Sequence, residues 1–192
     1  MSLLNTTKSM NETRGVSTAA IKKLLVVLAA SILVGLASHI IVPLPFTPVP
    51  LSMAPFAVLL IGLVLTPRMA FAALSAYLLE GAMGLPFFAP NGPGGLAHLL
   101  WPTAGYLVAF PVAAYCIAKI YRALNRSLAA ALIATAAGSL VLFVIGASWL
   151  GLALHLNGTA ALAAGVLPFL AGDAAKILAA SLAAQAWKRI RN

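Results

Sequence analysis

The chain of 192 residues is 62% hydrophobic and only 8% charged, and its mean hydropathy is +1.04. These few polar side chains are not enough to cover the surface of a water-soluble globule. We therefore expect lipid to surround the protein. A spanning helix needs roughly 20 apolar residues, which limits the chain to about six or seven spans. We expect residues 1–20 to form a cytoplasmic segment and residues 21–192 to form one all-α transmembrane domain.

The net charge of +9 does not indicate nucleic-acid binding, because no basic stripe alternates with aromatic residues. The single cysteine, Cys116, forms no internal disulfide, and no Cys/His grouping has metal-ligand spacing. The chain has no G-x-x-x-x-G-K-[ST] loop for ATP hydrolysis, and it offers no convincing pair of nucleophile and base. We therefore expect neither an enzyme nor a resident metal or cofactor.

The first predicted span covers residues 24–42 and follows Lys22 and Lys23. A cleaved signal peptide is the competing interpretation, but the apolar run continues past the small residues near Gly35 and favours a retained span. Four prolines between residues 43 and 50 predict a structured, extended loop. Span two is predicted at 52–65, where Pro55 marks either the first helical turn or a kink.

Span three is predicted at 69–85, span four at 102–121 and span five at 127–152. The connection at 84–102 is rich in glycine and proline, lacks charge and shows no helical period. Residues 160–166 predict a short helix near the surface, because Pro168 interrupts the apolar run, and span six follows at 172–187. The prediction is therefore a bundle of six transmembrane helices.

Topology follows from the basic residues. Eleven of the twelve Lys and Arg residues fall before span one, between spans two and three, around the turn after span four, or at the C-terminus. The opposite loops contain none, which is the positive-inside pattern. We therefore predict a multi-pass protein of the cell inner (plasma) membrane with both termini cytoplasmic.

Three charged side chains lie inside predicted spans, where each costs about 2.5 to 3.5 kcal/mol on insertion scales and suggests function. Asp173 and Lys176 are spaced i, i+3 and share a helix face, so a carboxylate acceptor lies beside an ammonium donor. This pair suits an uncharged cyclic urea. Alternatively, Asp173 satisfies free N–H groups of the first turn and Lys176 extends to the membrane interface.

The third intramembrane charge, Glu80, is interpreted either as a ligand contact or as a structural partner for Lys176, a hydroxyl or an indole. The three histidines are scattered in sequence near predicted span ends, so an interfacial role is expected for each. Ser31 and Gly35, together with Ala29 and Ala30, give span one a small-residue face on which another helix can pack.

Three runs resemble a known family: LPFTPVPLSMAPFAVLLIG, YLLEGAMGLPFFAPNGPGGLAHLLWPTAGYLVAFP and LPFLAGDAAKI. They resemble the BioY family, the biotin-specific substrate-binding (S) components of energy-coupling factor (ECF) transporters. The resemblance extends over residues 42–177, and its most specific parts are Pro-Thr-x-Gly-Tyr-Leu at 102–107 and Gly-Asp-x-x-Lys at 172–176. It implies a six-helix S-component fold with an outward-facing biotin pocket.

The resemblance also implies which residues contact biotin. Asp173 and Lys176 match the polar pair at the ureido ring, and Asn91, Thr47 and Tyr106 are further candidates. The apolar walls are expected from Phe46, Phe87 and Phe88.

Partners are implied as well. By resemblance, an ECF transmembrane coupling protein and a pair of ATPases supply the energy, and the small-residue face of span one is their docking surface. A self-sufficient secondary transporter, in which Glu80 and Asp173 relay protons, is the rival hypothesis, although no internal repeat supports it.

Overall fold

The computed structural model describes the backbone of residues 2–191 and the side chains of residues 18–190. Most of the predicted cytoplasmic segment, 1–20, therefore lies outside the residues whose side chains are described. The helices and strands follow in the order α1 Ser2–Ser38, β1 Ile41–Val42, β2 Leu51–Ser52, α2 Ala54–Val64, α3 Pro67–Ala82, a 3-10 helix Gly95–Leu100, α4 Ala104–Ala123, α5 Leu128–Ala153, α6 Gly158–Gly165, a second 3-10 helix Leu167–Phe169, and α7 Leu170–Arg191.

Four helical stretches of the described chain are long and apolar enough to cross a membrane: Thr18–Ser38, Ala104–Ala123, Leu128–Ala153 and Gly158–Ile190. The last stretch contains α6, the second 3-10 helix and α7. By contrast, α2 has 11 residues and α3 has 16, so they are about 16 and 24 Å long at 1.5 Å per residue. The chain is therefore a mostly helical membrane protein, and the count of six spans stays a prediction.

The predicted extended loop after span one is a small β-ladder. Ile41 pairs with Ser52 and Val42 with Leu51 in an antiparallel register, so the proline-rich residues between them form the loop of a hairpin. The predicted end of span one at residue 42 is therefore wrong, because α1 ends at Ser38 and the chain then becomes extended. The prediction of an all-α fold is therefore corrected, because the chain also contains this two-stranded ladder.

Other boundaries differ more modestly from the predictions. Pro55 lies in the first turn of α2 and so begins the helix without kinking it. The predicted short helix is confirmed as α6, which Asn157 caps by accepting a hydrogen bond from the Ala160 N–H at 2.8 Å. The loop at 84–102 is not fully irregular, since it contains the 3-10 helix Gly95–Leu100.

The core is built on α4, which packs against α2, α3 and α5. Alanines at 109, 113, 114 and 118 are fully buried along it, so neighbouring backbones approach closely. A Cβ atom added at Gly105 would lie 2.2 Å from the Trp149 Cβ on α5. This glycine therefore sets the separation of α4 and α5.

The small-residue face of α1 packs inside the protein. Ala30, Ser31 and Gly35 are buried, and a Cβ on Gly35 would meet the Phe87 ring at 3.0 Å. Only Ala29 of the predicted docking residues is exposed. The three buried residues pack against other parts of this chain, and the role of this face in docking a second protein stays a prediction.

We expect Gly105→Ala to destabilise the protein, because the new methyl group overlaps the Trp149 Cβ and lies 2.9 Å from the Ile145 carbonyl oxygen. Overpacking of this kind costs about 1 to 3 kcal/mol, which lowers the thermal unfolding midpoint in detergent. Gly158→Ala is the matched control, because a Cβ there meets nothing within 4 Å. Equal midpoints for the two variants would contradict the close approach of α4 and α5.

Candidate functional site

One large cavity opens at the end of the bundle that carries the hairpin. Its empty volume is about 800 Å³, the open mouth included. The walls come from the end of α1, the hairpin, α2, α3, the connection at 84–102, α4, α5, the second 3-10 helix and α7: Ser38, Val49, Pro50, Ser52, Ala54, Pro55, Tyr77, Ala89, Asn91, His98, Thr103, Tyr106, Leu107, Phe110, Leu142, Phe143, Phe169, Asp173 and Lys176. A mostly apolar wall with a few converging polar groups is typical of a small-molecule site.

Asp173 and Lys176 both line this cavity from α7, as their spacing predicts. Asp173 is 8% exposed and accepts a hydrogen bond from the Ser139 hydroxyl of α5 at 3.1 Å. The Lys176 ammonium donates to the Ser52 carbonyl of β2 at 2.7 Å. Each group is therefore held by a different neighbouring element, and the described side chains form no ion pair between them.

These bonds leave further hydrogen-bonding capacity in the cavity. An ionised carboxylate has about four acceptor sites and an ammonium has three donors, whereas each group uses one in the bonds above. The partner of the Lys176 ammonium is a backbone carbonyl of β2 at the cavity wall. The side-chain bond of Asp173 comes from Ser139 and not from a backbone N–H of α7.

Tyr106 lines the cavity from α4 and is fixed from two sides. Its hydroxyl donates to the Gly165 carbonyl oxygen at the end of α6, at 2.6 Å. Its ring lies against Gly146 of α5 so closely that an added Cβ would be 2.2 Å from the ring carbons. Asn91 lines the same cavity from the glycine-rich connection and is exposed, which places it where solvent enters.

His98 is a cavity residue for which the sequence pattern predicted only an interfacial role. It is 1% exposed in the 3-10 helix, and its Nδ1 lies 2.8 Å from the Pro93 carbonyl oxygen. Since a carbonyl only accepts, Nδ1 carries the proton and Nε2 is the acceptor in the neutral ring. One signal in the sequence marks His98, because it is the single titratable side chain within residues 84–102.

Burial lowers the pKa of His98 below its ordinary value of 6.5, while the hydrogen bond to the Pro93 carbonyl acts in the opposite direction. The ring packs against Phe88 with centroids 4.9 Å apart. Phe88 in turn makes an edge contact with Tyr77 at 5.6 Å. Phe88 therefore supports the wall from behind and is not among the residues that line the cavity.

Three more predicted residues also lie outside the cavity wall. Thr47 donates to the Ala164 carbonyl oxygen at 2.8 Å and so ties the hairpin to α6. Phe46 is 67% exposed on the hairpin, and Phe87 packs against Gly35 of α1. Their predicted contacts with a ligand stay predictions.

Glu80 lies near the end of α3, outside the cavity wall. Its Oε2 atom is buried and has no hydrogen-bond partner among the described residues. The interpretation of Glu80 as a partner for Lys176 is wrong, because the Lys176 ammonium donates to Ser52 and no ion pair with Glu80 forms in the described part of the chain. The same part of the chain brings no three His, Cys, Asp or Glu side chains together into a group suited to a metal ion.

Known proteins share this sequence and architecture. The family model described as the BioY family matches residues 7–192. A probable biotin transporter BioY from Pyrococcus horikoshii is 41% identical over 138 residues, which cover 72% of this chain and 80% of the relative. The biotin transporter BioY from Thermotoga maritima is 34% identical over 149 residues, which cover 78% and 86% of the two chains.

The fold has a solved counterpart, the S-component for biotin from an ECF-type ABC transporter, whose crystal structure superposes with a TM-score of 0.82. The superposition covers 90% of this chain and 93% of that one at 21% sequence identity, so it shows the fold. It confirms the S-component fold that the motifs predicted. The family match and the two relatives show that the chain belongs to the BioY family.

Proposed function

We propose that this protein is a transport subunit, not an enzyme, that captures biotin from outside the cell in the cavity described above. The observation that carries the proposal is the placement of Asp173 and Lys176 together in a mostly apolar chamber. Relatives with the same family match are named biotin transporters.

The chemistry of the ligand matches the cavity at both its polar and its apolar parts. The ureido ring of biotin has two N–H donors and one carbonyl acceptor. Asp173 accepts from an N–H, and Lys176 donates to the carbonyl, so the buried pair stays satisfied without added charge. The thiophane ring and valeryl chain pack against Leu107, Phe110 and Phe143, which line the same chamber.

The same proposal includes the orientation in the membrane: six crossings, both termini cytoplasmic, in the cell inner (plasma) membrane. Two contacts support it. The Lys188 ammonium of α7 donates to the Arg126 carbonyl oxygen in the α4–α5 turn at 3.3 Å, and Gln185 donates to the Tyr121 hydroxyl at 2.9 Å. These basic segments therefore gather at the end opposite the cavity, as the positive-inside rule expects of a cytoplasmic face.

Energy for release is proposed to come from an ECF transmembrane coupling protein and its ATPase pair. The chain contains no phosphate-binding loop of the Walker type. Most of the small-residue face of α1, the predicted docking surface, is buried within this chain. The lipid-exposed side of α1, with Leu25 at 60% and Leu36 at 67% exposure, is the part of that helix open to contact.

We predict that Asp173→Asn and Lys176→Met each weaken biotin binding at least about tenfold, because each removes a charge-assisted hydrogen bond worth about 1.5 to 3 kcal/mol. The measurement is equilibrium binding of labelled biotin to the purified full chain in detergent. Lys119→Met is the matched control, because Lys119 is exposed on α4 and does not line the cavity. Parent-like binding by both cavity variants would refute the site.

Biotin analogues show which end of the ligand contacts Lys176. If Lys176 binds the ureido carbonyl, 2-iminobiotin binds much more weakly than biotin to the parent protein, because its protonated guanidine faces an ammonium. Biotinamide lacks only the carboxylate charge. Its affinity is then expected to be lower than that of biotin by the same factor in the parent and in Lys176→Met. A loss confined to the parent would instead place the valerate carboxylate at Lys176 and reverse the proposed orientation.

Binding is also predicted to weaken on acidification through His98. Because burial lowers the pKa of His98, its neutral ring stabilises the folded connection at 84–102, which forms part of the cavity wall. This stabilisation is complete above pH 6.5 and is lost as the pH falls through the depressed pKa, which weakens binding. We expect His98→Gln to show a smaller loss of affinity between about pH 7.5 and about pH 5.5, since its amide does not titrate and still donates to Pro93. Identical pH profiles would exclude this role for His98.

A further inference from the structure

A second open space lies at the opposite end of the bundle, where α2, α4, the α4–α5 turn and α7 meet. This basic groove has an empty volume of about 800 Å³, its mouth included, and three cations line it: Arg122, Arg126 and Lys188. We propose that it binds the phosphodiester headgroup of an anionic membrane lipid. The proposal does not depend on biotin binding, because none of the groove residues lines the cavity.

No acidic residue lines the groove in the part of the chain whose side chains the structure describes. The whole chain has three acidic residues, Glu12, Glu80 and Asp173, and none of them is among the groove-lining residues. Asp173 lies in the cavity wall, and Glu80 is in the last turn of α3. Three clustered cations repel one another, so an anion between them lowers their electrostatic energy.

Arg122 supplies an independent observation. Its Nε atom is buried and has no hydrogen-bond partner among the described residues. A buried charged donor without an acceptor is costly, so an acceptor bound in the groove stabilises Arg122. An oxyanion in the groove offers the paired oxygens that a guanidinium fork prefers.

The turn between α4 and α5 holds the cations in place. The Arg126 carbonyl oxygen accepts hydrogen bonds from the Tyr121 hydroxyl at 3.1 Å, from Gln185 at 3.3 Å and from Lys188 at 3.3 Å. Asn125 and Arg126 have φ angles of 61° and 53°, so the turn runs through the left-handed region and directs the chain back sharply. The groove is therefore a built feature in which α7 is tied to the α4–α5 turn.

The apolar part of the groove favours a lipid over free phosphate. Trp187 is 52% exposed, Val64 is 36% exposed, and both line the groove beside the cations. Tryptophan at the end of a membrane helix is typical of the headgroup level, and basic pockets between such helices bind anionic headgroups. Phosphate and acyl chain are therefore both accommodated, the first by Arg122, Arg126 and Lys188 and the second by Trp187 and Val64.

The test uses the purified full chain in detergent, titrated with phosphatidylglycerol or phosphatidylcholine and, separately, with inorganic phosphate. Bound lipid is counted by native mass spectrometry. We expect phosphatidylglycerol to bind in preference to phosphatidylcholine, and we expect Arg122→Gln, Arg126→Gln and Lys188→Gln each to weaken it about fivefold, since a cation near the surface contributes about 1 kcal/mol.

Arg68→Gln is the matched control, because it removes the same charge from an exposed arginine at the α2–α3 turn outside the groove. It is expected to change phosphatidylglycerol binding less than twofold, and retained biotin binding by Lys188→Gln checks that the variant folds. An equal loss in Arg68→Gln would show diffuse attraction only and overturn the proposal. Two further outcomes would overturn the proposal. One is saturation of the groove by inorganic phosphate alone. The other is binding of an acidic peptide in the groove, together with no preference of the groove between the two lipids.

Discussion

The architecture depends on satisfying two charges where lipid surrounds the protein. A charged side chain in the membrane is costly unless other protein groups bind it, and here Asp173 and Lys176 both project from α7 into the same chamber. Ser139 of α5 satisfies one and the Ser52 carbonyl of β2 satisfies the other. The hairpin, α5 and α7 must therefore keep their mutual positions for both charges to stay buried. The geometry of the site thus depends on the packing of these three elements.

Close helix packing then gives the chamber its shape. Tyr106 lies where α4 and α5 approach through Gly146, and its hydroxyl bonds to the Gly165 carbonyl oxygen of α6. A Cβ on Gly165 would be 2.6 Å from that same hydroxyl. Because small residues on both sides fix one aromatic ring, the wall opposite the charged pair has little freedom to rearrange, and pre-organisation of this kind reduces the entropy that ligand binding costs.

Local and nonlocal features differ in how far the amino-acid sequence predicts them. Hydropathy indicates the long helices, and the cost of placing charge inside a membrane is enough to single out Asp173 and Lys176. The small-residue pattern of α1 does not specify whether this face packs within the chain or against a second protein, because the pattern is the same in both cases. The Thr47 bond to Ala164 spans 117 residues, and the Lys176 bond to Ser52 spans 124, so no local pattern specifies either.

One helix, α7, contributes residues both to the cavity and to the basic groove. Lys176 bonds to the hairpin and Lys188 bonds to the α4–α5 turn, and these residues lie twelve positions apart, or about 18 Å along the helix. A helix transmits displacement as a rigid body far better than a loop does. A rigid tilt of α7 about its centre that draws Lys176 away from Ser52 therefore also displaces Lys188 relative to Arg126.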